Sequence, residues 1–327
     1  MNILSLFDGC ACGRVALERS GIKVDNYFAS EIDKYAISIA NKNYPDIIQL
    51  GDINNWRTWN LPKIDLIIGG SPCQGFSIAG DRLNFNDPRS KLFFVFMDIL
   101  KCHKPKYFIL ENVKMKSEWK DIITEYVGIE PILINSRLVS AQNRERYYWT
   151  NIDGVSQPED KNIFLRDIVF PDVEPVVLHN LYGGFKEKSV RIFEGKSPTI
   201  RTSSGGGHIP SFVKKNLLLS DKEISYMNRF VGDGRNHWDF KHYSDVNNDK
   251  SASVVANFFK GVPYNVFKDW DCIRKFHPIE CERLQTFPDN YTEGISNTQR
   301  YKGLGNSWTV DVVKHIFDFL PEDFKGG

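Results

Sequence analysis

Over the first 150 positions, short apolar runs and helix-period segments alternate, separated by small or polar breaks. Ile3-Leu4-Ser5-Leu6-Phe7 predicts a buried strand, followed by the turn Asp8-Gly9-Cys10-Ala11-Cys12-Gly13 and a helix from Arg14 to Ser20 that stops at Gly21. Val24 to Ala29 predicts a second strand ending in Ser30-Glu31-Ile32-Asp33, with Ala36, Ile37, Ile39 and Ala40 lining the next helix. A third strand end falls at Ile48-Gln49-Leu50-Gly51-Asp52-Ile53. The β-branched run Ile64 to Ile68 reads as a central strand closed by Gly69-Gly70. An amphipathic helix follows over Leu92 to Leu100, then a strand at Tyr107 to Leu110 with Glu111-Asn112-Val113 directly after it. Trp119, Ile122, Ile123 and Tyr126 recur at helical spacing and read as core positions. Ile132 to Val139 is a further strand, leading into Gln142, Arg144 and Arg146, which share one face if extended. This alternation predicts an α/β fold around an open sheet. From about Asn151 to Trp270 the alternation gives way to glycine, serine, asparagine and aromatic residues, as expected of a smaller, irregular, β-rich unit. Order returns with a helix from Pro278 to Leu284, and Gly303-Leu304-Gly305-Asn306-Ser307-Trp308 precedes an apolar helix, Val310 to Leu320, suited to return to the first domain. The expected boundaries are 1–154, 155–290 and 291–327.

Composition changes this picture little. A chain of 327 residues has room for a large α/β domain and a smaller one, and a net charge of +1 means that contact with a polyanion must come from a local patch. The six cysteines follow no metal-ligand or disulfide spacing, so no metal site is expected and a reducing compartment is. No uncharged run is long enough to cross a bilayer. The expected location is the cytoplasm, or the nucleus in a eukaryotic host.

Candidate chemistry gathers at the strand ends, where open α/β sheets bind ligands. Gly9 lets backbone approach a ligand, and Glu31, about twenty residues later, can accept from vicinal ribose hydroxyls. Asp52 can accept from the exocyclic amine of an adenine. Together they describe a nucleoside pocket, since no second phosphate-binding glycine motif appears. In Gly70-Ser71-Pro72-Cys73-Gln74-Gly75-Phe76-Ser77, Pro72 stiffens the backbone before a single thiol. A lone cysteine is more often a small core residue, so Cys73 draws its meaning from its company. Arginines at period two on an inner strand are costly unless they meet anions or carbonyls, which favours a site at Arg144 and Arg146. Two segments, Lys196-Ser197-Pro198-Thr199-Ile200 and Lys250-Ser251-Ala252-Ser253-Val254, place a lysine and hydroxyls before a short strand and suit phosphate contacts.

Together these residues resemble the DNA cytosine-5 methyltransferase family over nearly the whole chain, most closely its de novo class and the viral and bacterial relatives of that class. Phe7-Asp8-Gly9-Cys10-Ala11-Cys12-Gly13 is similar to the first cofactor motif, Ser71-Pro72-Cys73-Gln74 to the catalytic motif and Glu111-Asn112-Val113 to the acid motif. Gln142-x-Arg144-x-Arg146 resembles the arginine motif, and Glu280-Cys281-x-Arg283-Leu284-Gln285-x-Phe287-Pro288 with Gly305-Asn306-Ser307 the last two. Cys10 and Cys12 depart from the family, which usually has other small residues there. The resemblance implies a Rossmann-like S-adenosylmethionine-dependent methyltransferase domain with a smaller, β-rich target-recognition domain. It implies Cys73, Glu111, Arg144 and Arg146 as catalytic residues. S-adenosyl-L-methionine would be held by Phe7, Asp8, Gly9, Gly13, Glu31, Ile32, Asp52, Ile53, Pro72, Asn306 and Ser307. Gln74, Ser77, Arg89, Lys196, Ser197, Arg201 and Lys250 would contact double-stranded DNA. A monomer is expected, with a cognate restriction endonuclease as a partner in the host system. Two alternatives stay open: a tRNA cytosine-5 methyltransferase, whose subgroup typically carries Pro-Pro-Cys-Gln-Pro-Phe-Thr where Ser71 to Ser77 stand here, and a catalytically silent DNA-binding relative.

Overall fold

The structure, a computed structural model, describes residues 1–71, 88–168, 170 and 276–325, together with the backbone of six short strands between 176 and 275; at residues 88–90 only the backbone is described. Seven strands form a mixed sheet in the order β3-β2-β1-β4-β5-β8-β6. These are β1 (Asn2–Leu6), β2 (Asn26–Ser30), β3 (Ile48–Gln49), β4 (Leu66–Gly70), β5 (Tyr107–Val113), β6 (Ile132–Asn135) and β8 (Glu145–Thr150); β7 (Gln142–Asn143) lies just before β8. The first five run parallel. β8 pairs antiparallel with both β5 and β6.

The near-continuous apolar runs in β1 and β4 are explained by cover on both faces. Period-two alternation sends Ile3, Leu66 and Ile68 into one core. That core contains Val15, Ala16 and Leu17 of α1 (Cys12–Arg19) and Ile39 and Ala40 of α2 (Lys34–Asn43). Leu4, Leu6 and Ile67 face the other core, with Phe93, Phe96 and Met97 of α3 (Pro88–His103) and Ile123 of α4 (Ser117–Val127). Of the aromatic and aliphatic positions expected in α4, only Ile123 is buried, and Tyr126 is 43% exposed.

Three elements differ from their sequence reading. Gly69 and Gly70 do not end β4 but continue it, paired with Leu110 and Glu111. A Cβ at Gly69 would lie 2.8 Å from the Leu6 carbonyl oxygen and one at Gly70 2.7 Å from Glu111 Oε2, so the glycines serve close approach within the sheet. Glu111 likewise sits inside β5. The strand expected over 132–139 stops at Asn135, whose side chain accepts from the Arg137 amide and caps a 3-10 turn, Ser136–Leu138.

After a short helix α5 (Leu165–Ile168), the strands β9 (Val176–His179), β10 (Arg191–Phe193) and β11 (Ser211–Val213) form a small antiparallel sheet. β13 (Val266–Asp269) and β14 (Cys272–Lys275) form a hairpin. β12 (Ser251–Ala252) pairs in parallel with Gln142 and Asn143 of β7, beside Arg144. α6 (Pro278–Leu284) opens with a capping box between His277 and Glu280. Phe276, Cys281, Leu284, Phe287 and Tyr291 join the core of Ile3 and Ala16. α7 (Asn297–Asn306) and α8 (Val310–Phe317) follow, and a final turn of helix, α9 (Glu322–Lys325), closes the described chain. α8 buries Val310, Val312, Val313, Ile316 and Phe317. Among the described residues no helix is long and apolar enough to cross a membrane, and no cluster of His, Cys, Asp or Glu could hold a metal ion.

Candidate active site

The carboxyl ends of β1, β2, β4 and β5 open into one cavity of about 440 Å³, in the range of small-molecule sites. Its first end is built by the β1–α1 turn. Phe7, Gly9 and Ala11 all take left-handed backbone conformations, with φ of 58°, 61° and 59°. Only glycine does so at no steric cost, so strain is held at Phe7 and Ala11. The Gly9 amide donates to Glu31 Oε2 at 2.8 Å, while the Ile32 and Asp33 amides donate to Oε1 at 2.7 and 2.8 Å. Glu31 therefore ties the first turn to the end of β2 while lining the cavity. Asp52 caps the 3-10 turn Ile53–Thr58, its Oδ1 accepting from the Asn54 amide at 2.9 Å. Phe7, Gly9, Glu31, Ile32, Asp52, Ile53 and Asn306, all expected at a cofactor, line the cavity together.

Asp8, Gly13 and Ser307 do not line it. Asp8 turns inward, where Oδ1 accepts from Ser5 Oγ at 2.6 Å and Tyr27 OH at 2.7 Å; burial pushes its carboxyl up to about 6. Gly13 faces Ile68, whose Cδ1 would stand 2.2 Å from an added Cβ. Ser307 Oγ donates to the Gly303 carbonyl. Cys10 lines the cavity, but burial pushes its thiol up to about 12 and raises that of Cys12 as well, so neither is a thiolate at neutral pH.

At the other end stand Gly70, Ser71, Glu111, Arg144 and Arg146. Antiparallel pairing sets Arg146 opposite Val113, and its Nε meets Glu111 Oε1 at 3.0 Å. The Trp308 indole Nε1 donates to Glu111 Oε2 at 3.1 Å. Arg144 is buried. Its Nη2 donates to the carbonyls of Ser307 at 3.0 Å and Gly305 at 3.4 Å, and burial together with the charge of Arg146 lowers its guanidinium to about 9. Gln142, the third member of the alternating series, is fully buried and donates to the Leu284 carbonyl at 2.6 Å. The period-two pattern thus brings both arginines to the partners that made them affordable, carbonyls for one and a carboxylate for the other.

Ser71 lines the cavity and stands two positions before Cys73. Pro72, Cys73, Gln74, Ser77, Lys196, Ser197, Arg201 and Lys250 lie outside the described residues, as does the side chain of Arg89. Asp33, Tyr35, Asn54, Leu92 and Gln299 also line the cavity without having been singled out. Asp33 and Tyr35 follow Glu31 at a strand end, which is a usable signal. Gln299 reaches the site only because α7 returns from far along the chain, and no local pattern announces that. Trp308 was visible as part of Gly305-Asn306-Ser307-Trp308 but not as a partner of Glu111.

Residues 1–321 match the family described as C-5 cytosine-specific DNA methylase. The chain is 28% identical to the orphan methyltransferase M.SPRI of Bacillus phage SPR, over 98% of this chain and 97% of that one. It is 30% identical to the type II methyltransferase M1.ScrFI of Lactococcus lactis subsp. cremoris, over 98% of this chain and 78% of that one. Its fold is similar to that of the S. pombe Dnmt2 methyltransferase, with a TM-score of 0.64 and 18% identity over 99% of each chain. With nearly its full length matched, the chain belongs to the C-5 cytosine-specific DNA methylase family and is a DNA cytosine-5 methyltransferase.

Proposed function

We propose that the protein methylates carbon 5 of cytosine within a short sequence of double-stranded DNA, using S-adenosyl-L-methionine, through covalent attack of Cys73 on C6 of a flipped-out base. The observation that carries this reading is one cavity lined both by a nucleoside-like set (Phe7, Glu31, Ile32, Asp52) and by the Glu111–Arg146 pair, with Ser71, two positions before Cys73, also in its lining. The cofactor fits these residues. Gly9, at positive φ, has nothing within 4 Å of an added Cβ and so leaves open space, and Glu31 and Asp52 present oxygens of the kind that accept from ribose hydroxyls and an adenine amine. When bound, S-adenosylmethionine supplies an electrophilic methyl group.

Cytosine C5 is a weak nucleophile. As the Cys73 thiolate bonds to C6, the C5–C6 electron pair shifts to C4–C5 and the C4–N3 pair onto N3, which takes its proton from Glu111, and Glu111 also accepts from the exocyclic amine. Arg146 bonds the C2 oxygen, where negative charge also collects. With the double bond now at C4–C5, C5 carries nucleophilic character. After methylation the N3 proton returns to Glu111, and loss of the C5 proton to water re-forms C5–C6 and expels the Cys73 thiolate. Since C6 is inaccessible in a stacked duplex, the base must leave the helix, and residues 75–91 are suited to close behind it. The target-recognition region spans residues 155–290, with residues 155–270 reading the major groove. Gln74, Ser77, Arg89, Lys196, Ser197, Arg201 and Lys250 contact the DNA. The protein acts as a monomer in the cytoplasm, as part of a restriction-modification system.

DNA containing 5-fluorocytosine tests this mechanism, because that base cannot lose a proton at C5. The intact protein should form a covalent adduct in the presence of cofactor. Cys73→Ser should form none, lose methylation and keep cofactor binding. Full activity in Cys73→Ser would refute the nucleophile assignment, and methyl transfer to tRNA alone would refute the substrate.

A further inference from the structure

Resting on the reading above, we infer that Trp308 is a positioning residue for the reaction, its indole N–H fixing the Glu111 carboxylate from the side opposite Arg146. The two carboxylate oxygens of Glu111 are held by different groups: Oε1 by Arg146 Nε at 3.0 Å and Oε2 by Trp308 Nε1 at 3.1 Å. Glu111 and Trp308 are 8% and 9% exposed, so the bond is largely shielded from water. Arg146 alone leaves the carboxylate free to turn about its last bond. A second donor on the other oxygen removes that freedom and presents fixed lone pairs to the base.

Two further observations point the same way. Gly70, directly across the ladder from Glu111, is the spacer that permits the contact: a Cβ there would lie 2.7 Å from Glu111 Oε2 and 2.9 Å from Trp308 Nε1. The backbone carrying the indole is pinned from both sides. The Ser307 carbonyl accepts from Arg144 Nη2 at 3.0 Å and Gln285 Nε2 at 3.3 Å, and the Trp308 carbonyl accepts from Cys12 Sγ at 3.6 Å. Thr309 Oγ1 accepts from Ser136 Oγ at 2.8 Å and Gln142 Nε2 at 3.2 Å and donates to Gln285 Oε1 at 3.0 Å. Hydrophobic packing of an indole needs no such fixed link; aiming one N–H at one oxygen does. Through these bonds Arg144 and Gln142 also act on Glu111 by way of Trp308.

Trp308→Phe keeps the aromatic bulk and removes the donor. The expected result is a fall in kcat of about tenfold, the scale of a positioned hydrogen bond, with KM for cofactor and thermal stability close to those of the parent. Gly70→Ala should lower kcat in the same way. The Trp308 indole N–H resonance, identified by its loss in Trp308→Phe, should shift in Glu111→Gln. An unchanged kcat in Trp308→Phe, an indole resonance indifferent to Glu111→Gln, or a fall in kcat matched by losses of stability and cofactor affinity would each overturn the inference. Full activity in Glu111→Gln would instead refute the catalytic reading of Glu111 and leave the Trp308 contact purely structural.

Discussion

At Asp8 a carboxylate occupies a place with two hydroxyl donors on Oδ1 and no hydrogen-bond partner for its buried Oδ2 among the described residues. Desolvation outweighs the two hydrogen bonds, and Glu31 adds like charge, so the group holds its proton up to about pH 6. The sign of the consequence follows from proton counting. Between the ordinary value of 3.8 and about 6, the folded state binds the proton that the unfolded chain has released, so stability is full at low pH and falls as pH rises through this window. Asp8→Asn keeps an acceptor for Ser5 and Tyr27 and removes the titration. Denaturant unfolding at pH 4 and pH 7 should show the parent losing on the order of 3 kcal/mol relative to the variant; parallel pH profiles would refute it. The family resemblance placed Asp8 with the cofactor through the first motif. Which way a side chain leaves a turn with three left-handed residues is set by the turn, and residue order does not reveal it.

Among elements, α1 shows how far pattern reading carries and where it stops. Its existence and its stop near Gly21 followed from periodicity, whereas the role of Gly13 did not. The glycine is the second residue of the helix, where alanine would ordinarily stabilise by at most about 1 kcal/mol. Here the added Cβ would meet Ile68 Cδ1 at 2.2 Å in a core where Ile68 is fully buried, and overpacking of this kind costs about 1–3 kcal/mol. The clash should win: Gly13→Ala is expected to lower the denaturation midpoint, and Gly13→Ala combined with Ile68→Val, which removes the offending methyl, should recover most of the loss. Equal effects in both variants would assign the cost to backbone strain instead. β4 teaches a related lesson, since glycines that read as a strand end turned out to be sites of close approach. Their neighbours, Phe96, Glu111 and Trp308, come from distant parts of the chain.

For the molecule as a whole, the strand ends leading to Gly9, Glu31 and Asp52, and the position of Glu111 near the end of β5, were readable because each follows its own apolar run. The antiparallel return of β8 and the wall formed by α7 were not, because tertiary pairing sets them. That wall makes the C-terminal part indispensable. Leu304, Val310, Val312, Val313, Ile316, Phe317 and Leu320 are buried in the core of Ile3 and Ala16. At roughly 1.5–3 kcal/mol each, they match or exceed the 5–15 kcal/mol that holds a typical domain together. A chain ending at residue 290 should therefore show neither cooperative unfolding nor cofactor binding; a folded, cofactor-binding truncation would contradict this. The link between α7 and α8 also has a meaning in time. A ribosome adds roughly 5–20 residues per second, and Cys73 is made long before Trp308. Until residues 297–320 emerge and dock, the cavity lacks the wall lined by Gln299, Gly303, Gly305 and Asn306, so under the proposed function methylation waits until synthesis is nearly complete.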